Sequence, residues 1–330
     1  MPAVSVLMAV HDAERYLKEA VESILDQTFR DFEFLVVDDG STDATGAILS
    51  NYTDSRLRVI RLENNGGLPA ALNIGLREAC GPLIARMDGD DVSDTRRLEL
   101  QVAFMHEYPD VLLLGTGFVR IDAAGRPFDK VQLPTEDGVL QGQLLVGSQF
   151  CHPSVMVRTD IMRAVGGYRS ISGGAAQDYD LWLRIAEHGK IANLQQPLLR
   201  YRMHEGQISV GRLERQRQAA NIYRTLALQR RSGLGENLDA AQRENASDGA
   251  DMTRAVSAEY RLRALRFAVV GQRLAAMKFL LESFRLTPAD PRVVGCFFRI
   301  LWGELESSRV GVMLRWYGKK MLALRPRGSR

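Results

Sequence analysis

Residues 82–91 read PLIARMDGDD, a short apolar run followed at once by three carboxylates within four residues. Such a run predicts a buried β-strand that ends where the acids begin. The carboxylates of Asp88–Asp91 repel one another unless a positive charge lies among them. Mg²⁺ and Mn²⁺ prefer oxygen ligands and would supply that charge. The alternative is a solvated turn that caps a helix beginning near Asp94, although Ser93 or Asp94 can do that alone.

The sequence upstream repeats this alternation of apolar runs and polar ends. Apolar runs at Val4–Val10, Phe32–Val37 and Leu57–Leu62 are separated by segments with helical periodicity. This pattern predicts an α/β fold with a parallel central sheet covered on both faces. Ligands bind such sheets beyond the carboxyl ends of the strands. The residues expected there are His11-Asp12, Asp38-Asp39, Asn64-Asn65 and Asp88–Asp91.

The second strand ends in the acidic turn Asp38-Asp39-Gly40-Ser41. A carboxylate at this place can accept a hydrogen bond from a nucleotide base or a ribose hydroxyl. It can equally form an Asx-type turn before a helix capped by Ser41 or Thr42. Both hold at once if one Asp forms the turn and the other binds a ligand.

Composition and charge divide the chain into two regions. With 45% apolar and 25% charged residues, the 330-residue chain is globular rather than disordered or fibrous. Residues 1–211 carry 20 basic and 29 acidic side chains, whereas residues 212–330 carry 23 and 11. We therefore expect a catalytic domain over 1–211 and an all-helical region over 212–330, with a linker at 232–251.

Three cysteines without a CxxC spacing argue against a zinc finger or a redox pair. Neither a signal peptide nor a transmembrane segment is expected from the sequence. These features favour a cytoplasmic protein.

Several motifs together resemble the family-2 glycosyltransferases with the GT-A fold. They occur in the family's order, span about residues 3–210, and leave the helical region outside the resemblance. The segments are SVLMAVHDAERYLKEAVESILDQTFRDFEFLVVDDGSTDAT, NNGGLPAALNIGL, ARMDGDD, HPSVMVR, GGYR, QDYDLWLRIAEHG and YRMHEGQIS.

The resemblance implies an inverting transferase of the hexosyltransferase class that uses a nucleotide-diphosphate sugar, usually UDP-linked. Asp39 would contact the base, Asp88 the ribose or its neighbourhood, and Asp90 and Asp91 the metal and diphosphate. The metal, Mn²⁺ or Mg²⁺, would also be approached by His204, whose alternative role is that of a polar loop residue. The remaining donor-side residues are Ala9, His11, Asn65 and Gly66.

On the acceptor side, Asp178 aligns with the acid that acts as catalytic base in inverting members of the family. Its alternative role is to cap the helix that follows. His152 and Gln177 would face the acceptor. Two departures from the family pattern stand out: the first strand ends in Ala9-Val10-His11-Asp12, and Gln177 replaces a Glu.

Other functions fit the sequence less well. A sugar-nucleotide pyrophosphorylase requires a basic Gly-rich loop after the first strand, where this chain has an acidic turn, and a Rossmann dehydrogenase requires GxGxxG there. The remaining alternative is a catalytically inactive nucleotide-sugar-binding scaffold that acts through its helical tail.

The partners expected are a nucleotide-sugar donor and a saccharide or lipid-linked saccharide acceptor in cell-envelope polysaccharide synthesis, with no nucleic acid. Residues 315–330 carry six basic side chains and no acid, a mix that suits an anionic membrane surface at the inner face of the cell membrane. Their alternative role is a helical core with a solvated basic end.

Overall fold

The computed structural model describes residues 1–171, 173–204, 213–246, 249–269, 271–288 and 290–302. Within these residues the chain forms two compact units. The first contains Met1–His204 together with Arg215–Asn245, and the second contains the helices that begin at Gly249.

A single sheet of nine strands, counted over the described residues, forms the centre of the first unit. Its order is β3-β2-β1-β4-β8-β6-β9-β5, with β7 paired to β6. The strands are β1 (Val4–Val10), β2 (Phe32–Asp38), β3 (Leu57–Arg61), β4 (Leu83–Met87), β5 (Val92–Ser93), β6 (Val111–Ile121), β7 (Pro127–Val131), β8 (Met156–Arg158) and β9 (Lys190–Arg202).

Helices cover both faces of this sheet, as the apolar runs predict. Side chains of β1 alternate between two core clusters, with Leu7 and Ala9 in one and Val6 and Met8 in the other. The helices of the first unit are α1 (Leu17–Leu25), α2 (Thr45–Ser50), α3 (Leu68–Glu78), α4 (Arg97–Glu107), α5 (Asp137–Leu144), α6 (Thr159–Ala164), α7 (Gln177–Ile185), α8 (Leu213–Arg231) and α9 (Leu238–Ala246).

Half of the sheet is parallel, and this half places the strand ends side by side. β1 pairs in parallel with β2 on one side and with β4 on the other, while β2 pairs in parallel with β3. Beyond β4 the sheet is mixed, because β8 runs antiparallel to β4 and β6, and β6 runs parallel to β9. The two-residue strand β5 follows Asp91 and pairs with the end of β9, which brings β9 to the acidic loop.

The C-terminal helices differ from the expected division at residue 211. Helix α8 buries Tyr223 and Leu226 in the same core cluster as α7, so this part of the helical region belongs to the first unit. The segment 232–251, expected to be a linker, contains α9, and its Ala241 is fully buried. Composition missed α9 because the helix is short and mostly polar on its outer side.

Three helices form the described part of the second unit: α10 (Gly249–Val269), α11 (Arg273–Leu286) and α12 (Pro291–Trp302). A buried polar contact joins α10 to α11, with the Ser257 and Ser283 hydroxyl oxygens 2.8 Å apart. Residues 303–330, including the basic stretch 315–330, lie outside the described residues.

Candidate functional site: acidic strand ends around one edge of the sheet

The carboxylate of Asp39 joins two strand-end loops. Asp39 is buried, and its two oxygens accept the backbone N–H groups of Gly66 at 2.8 Å and Gly67 at 2.9 Å. This places Asn65 and Gly66, which precede α3, beside the end of β2. The close approach requires Gly40, because a Cβ there would lie 2.8 Å from the backbone of Asn64, and its φ is +70°.

The neighbouring acid Asp38 has a different role. Its Oδ1 accepts the backbone N–H of Ser41 at 3.0 Å, which is the Asx-type turn expected from the sequence. Its other oxygen lies 3.7 Å from the Arg61 guanidinium. Asp38 therefore forms the turn, and Asp39 faces the glycine loop; the ligand-binding role of Asp39 remains a prediction.

The end of β1 contacts the same loop. The ring nitrogen Nδ1 of His11 lies 2.9 Å from the carbonyl oxygen of Asp39. Asp12 has a left-handed φ of +48°, and its carboxylate accepts the backbone N–H of Thr42 at 2.8 Å. Ala9 belongs to the core cluster on one face of β1. His11 thus lies beside the loop that contains Asp39, while Asp12 stabilises the turn.

The acids after β4 form a compact group with the geometry of a cation site. One carboxylate oxygen from each of Asp88, Asp90 and Asp91 can be chosen so that all three lie within 4.8 Å of one another. The alternative in which these acids cap α4 does not match the structure. The first amides of α4 are bonded by other groups: Gln27 accepts from Leu98 at 3.0 Å, and Asp94 accepts from Arg96 at 3.0 Å.

Asp91 is the most buried acid of this group. It is 1% exposed, and its Oδ1 accepts the backbone N–H of Arg202 at 2.8 Å. Its Oδ2 is buried with no hydrogen-bond partner in the described part of the chain. Burial, then repulsion by Asp90 and Asp88, raises the pKa of Asp91 well above its ordinary value. A divalent cation would satisfy this oxygen and remove the repulsion.

The end of β9 completes the acidic group. The ring nitrogen Nε2 of His204 lies 2.9 Å from Oδ2 of Asp90. The Arg202 guanidinium donates from Nε to the carbonyl oxygen of Asp90 at 2.8 Å. The ring of His204 also packs 4.9 Å from that of Tyr16, which holds it in place. His204 therefore lies beside the acids, two residues after β9 ends.

Sequence reasoning missed Arg86, a buried cation beside this group. Arg86 is 1% exposed, and its guanidinium donates to a carboxylate oxygen of Asp88. Burial, then repulsion by Asp90, raises the pKa of Asp88, and the charge of Arg86 opposes that rise. The signal was available: an arginine within an apolar strand, two residues before an acid, projects to the same face as that acid.

Arg97 is a second buried cation that the sequence did not reveal. It is fully buried at the start of α4, and its guanidinium donates to the carbonyl oxygens of Arg86 at 3.1 Å and Pro153 at 2.6 Å. Burial lowers its pKa to about 10, while the charge of Asp91 opposes the fall. Arg97 thus fixes the loop before β8 beneath the acidic group.

Asp178 lies in the first turn of α7, after Ala176, whose left-handed φ of +52° is costly for a residue with a Cβ. Burial raises the pKa of Asp178, and the amides of its own turn oppose that rise. The charges of Asp88 and Arg86 are near enough to contribute. Gln177 beside it is 7% exposed.

The neighbouring acid Asp180 supports the fold. It is fully buried and accepts hydrogen bonds from the guanidinium groups of Arg169 and Arg184. Two arginines thus compensate its charge, whereas among the described residues no arginine is paired with Asp178. The structure therefore distinguishes the two acids of α7 by their partners.

His152 lies in an aromatic environment. Its Nε2 is 2.9 Å from the Tyr168 hydroxyl, and its ring centroid is 5.9 Å from that of Trp182. Burial, followed by the charge of Arg86, lowers the pKa of His152 well below its ordinary value. His152 is therefore neutral near pH 7 and can act as a hydrogen-bonding group but not as a cation.

Structural comparison agrees with this fold. Residues 1–349 of TarS from S. aureus match with a TM-score of 0.56 at 18% identity, over 95% of this chain and 91% of that one. The mannosyltransferase PcManGT from Pyrobaculum calidifontis matches with a TM-score of 0.53 at 16% identity, over 96% and 84% of the two chains. The predicted GT-A class, an α/β domain followed by helices, is confirmed.

Sequence comparison defines the family. The model for glycosyl transferase family 2 matches residues 5–162. EpsE of Bacillus subtilis (strain 168) is 39% identical over 208 residues, which are 61% of this chain and 73% of that protein. The O-antigen biosynthesis glycosyltransferase WbnJ of Escherichia coli is 35% identical over 61% of this chain and 80% of WbnJ. The chain belongs to glycosyltransferase family 2, as the motifs predicted.

Proposed function

We propose that this glycosyltransferase moves a sugar from a nucleotide-diphosphate donor, UDP-linked, to a hydroxyl of a saccharide or lipid-linked saccharide, with inversion and with a divalent cation. The observation that carries the proposal is the group of Asp88, Asp90 and Asp91, in which the buried Asp91 keeps one unsatisfied oxygen among the described residues, at the same edge of the sheet as Asp39.

The donor assignment is supported by the loop around Asp39. Its carboxylate is held by two backbone N–H groups and keeps further lone pairs for an N–H of a base or a ribose hydroxyl. TarS has been solved with UDP-GlcNAc, and PcManGT with GDP-Man and Mn²⁺. For this chain, a UDP-linked donor is our proposal.

Asp90, Asp91 and His204 would hold the cation, with Asp88 kept beside it by Arg86. Two carboxylates and one imidazole, with a third carboxylate beside them, suit Mn²⁺ or Mg²⁺. When bound, the cation supplies Lewis-acid stabilisation of the negative charge on the departing diphosphate.

Asp178 is proposed as the general base. Its carboxylate takes the proton of the acceptor hydroxyl while that oxygen bonds to the anomeric carbon, and the carbon–oxygen bond to the diphosphate breaks. Burial raises the pKa of Asp178 toward the working pH, which favours proton transfer. A single displacement of this kind inverts the anomeric configuration, because no second nucleophile takes part.

The acceptor side is proposed to include His152, whose ring packs near Trp182 of α7, and Gln177, the first residue of α7. We further propose that the protein works in the cytoplasm, with a lipid-linked acceptor that brings it to the inner face of the cell membrane. Among the described residues, no helix is both long and apolar enough to cross a bilayer.

A panel of UDP-, GDP- and dTDP-sugars with Mn²⁺ tests the proposal, using thermal stabilisation, donor hydrolysis and NMR of the product's anomeric proton. We expect UDP-sugars to stabilise the protein only with the cation, and the product to be inverted. Binding without turnover of any donor would favour the inactive scaffold instead. A retained configuration would remove Asp178 as the base of a single displacement.

A further inference from the structure

The outer face of α11 exposes large apolar side chains that fold stability does not require. Leu274 is 81% exposed, Leu281 60% and Phe284 48%. The opposite side of the helix packs inward with small and aromatic residues: Ala275, Ala276, Phe279, Leu280 and Ser283. A helix that already buries one full face has no structural need for three further large apolar groups in water.

These side chains form one strip along the helix. Leu274, Leu281 and Phe284 are spaced at i, i+7 and i+10, and the half-buried Met277 falls between them at i+3. At about 100° per residue, the four lie within roughly 80° of the helix circumference. We call Leu274, Met277, Leu281 and Phe284 the apolar strip of α11.

Basic residues flank the apolar strip on both sides. Arg273 lies on one side, and Lys278 and Arg285 lie on the other, all three exposed. Glu282 is the single acid on the outer face, 3.8 Å from the Arg285 guanidinium. An exposed apolar strip between cationic edges is the pattern of a helix that lies in a membrane interface, with its basic side chains at the headgroups.

The basic residues beside the apolar strip favour a lipid surface over a second copy of the chain as its partner. An antiparallel pairing of two apolar strips would place Arg273 of one copy beside Arg285 of the other, and like charges repel. Anionic headgroups attract the basic residues on both edges. We propose that the outer face of α11 docks on an anionic lipid surface, with the apolar strip at the boundary of headgroups and acyl chains.

This inference goes beyond the transfer reaction, because none of these residues belongs to the donor or acceptor side. The docking surface lies within the described residues, and the basic segment 315–330 is not needed to define it. Binding should be reversible, since one interfacial helix with about three basic side chains is weaker than a spanning segment.

Co-sedimentation of the full chain with vesicles tests the proposal. The vesicles are phosphatidylcholine alone or phosphatidylcholine with phosphatidylglycerol, at low and high salt. The apolar variant is Leu274→Gln/Leu281→Gln/Phe284→Gln. The matched control is Val59→Gln/Val146→Gln/Leu234→Gln, which changes three exposed apolar residues of the first unit. The charge variant is Arg273→Ser/Lys278→Ser/Arg285→Ser.

We expect the natural chain and the control to bind anionic vesicles, and binding to weaken at high salt. The apolar variant should lose at least about tenfold in partitioning. The charge variant should lose about fivefold per charge, on anionic vesicles only. Cation-dependent donor hydrolysis in solution should be unchanged in all variants, so a failure here is separate from a failure of the proposed function.

Three results would overturn the proposal. The natural chain could fail to bind anionic vesicles, or the apolar variant could bind as well as the control, which would assign binding to another surface. The apolar variant could lower the melting temperature without a change in partitioning, which would show that the strip is covered by this chain itself. Sedimentation velocity could show a dimer that the apolar variant separates, which would make a second copy the occupant.

Discussion

The buried carboxylate of Asp91 would link the stability of the fold to binding of the proposed cation. Its Oδ1 is satisfied by the Arg202 amide, and its Oδ2 has no partner among the described residues. Because the folded-state pKa is raised, the folded protein binds more protons than the unfolded chain above the ordinary pKa of 3.8. Stability without the cation therefore falls as the pH rises from 3.8 through the raised pKa.

Asp91→Asn is expected to raise the melting temperature in EDTA at neutral pH by a few degrees. Each kcal/mol gained in the free energy of unfolding raises the melting temperature by about 2–4 °C. The same change should remove most of the stabilisation by Mn²⁺. Differential scanning fluorimetry with EDTA and with Mn²⁺ measures both. Asp54→Asn is the control, since the hydrogen bond from Arg56 lowers the pKa of Asp54 and its loss should destabilise. A variant with unchanged stability in EDTA would contradict the account of Asp91.

Asp178→Asn is expected to keep donor affinity and lose transfer by at least ~10²–10⁴-fold, the usual contribution of a general base. Titration calorimetry with donor and single-turnover transfer separate the two effects. The matched variant is Asp180→Asn on the same helix. It breaks a buried pair with Arg169 and Arg184, so it should cost about 3–5 kcal/mol of stability. Equal transfer by Asp178→Asn and the natural chain would remove the proposed base.

Arg86→Met is expected to move the acid limb of the pH–rate profile. The charge of Arg86 lowers the pKa of both Asp178 and Asp88, so its loss should raise both and shift the limb of kcat/KM to higher pH. The pKa of His152 should rise too, because Arg86 also lowers it. Arg86→Lys should restore the limb. If Arg86 only supports the fold, the melting temperature will fall while the profile stays in place.

The individual site residues were only partly predictable. Asp39 and Asp88–Asp91 could be named because they follow apolar runs, and the carboxyl ends of parallel strands meet at one edge. Arg86 was missed because a charged residue inside an apolar run is usually assigned to the solvated side, and Arg97 because it follows the polar residues at the start of α4. The spacing of Arg86 and Asp88 indicates their contact, whereas the contact of Arg97 with the Pro153 carbonyl, 56 positions away, cannot be read from spacing.

At the scale of elements, long buried strands were predictable and short ones were not. The runs at Val4–Val10 and Leu83–Met87 are buried throughout, so their hydrophobicity marks them clearly. β5 and β8 contain two and three residues, too few for any periodicity. β9 extends over Lys190–Arg202, and its register against β6 shifts near Gly117, which no periodicity of the sequence indicates.

The turn after β2 supports the most specific element-scale prediction. Gly40→Ala adds a Cβ 2.8 Å from the Asn64 backbone at a φ of +70°. Gly166→Ala is the matched control, since its φ is +83° but its Cβ meets nothing within 4 Å. The control should cost about 1–2 kcal/mol from backbone strain alone. Gly40→Ala should cost more and weaken donor binding, as shown by chemical denaturation and calorimetry; equal losses would contradict the contact with Asn64.

At the scale of the whole molecule, the first compact unit extends past the expected boundary at 211. Tyr223 and Leu226 of α8 are fully buried in the core that α7 shares. Glu236 accepts a hydrogen bond from Arg169 at 2.7 Å, and Arg169 is paired with Asp180 of α7. The helix that carries Asp178 is therefore supported by residues after the motif region.

A chain ending at residue 211 should consequently be insoluble or much less stable than one ending at 246. Each lost buried side chain of this size contributes about 1.5–3 kcal/mol. Expression of both chains with urea denaturation measures the difference. Similar midpoints for the two would show that α8 and α9 are dispensable for the catalytic unit.

The contact between Asp91 and Arg202 has a consequence for synthesis on the ribosome. The two residues are separated by 111 positions, and His204 lies 114 positions after its partner Asp90. At about 5–20 residues per second, the acidic loop emerges roughly 5–20 s before the residues that hold it. During that interval the three carboxylates are solvated and mobile, so the nascent chain has no assembled site with which to capture metal. If the proposed cation binds at this group, it binds only after β9 has joined the sheet.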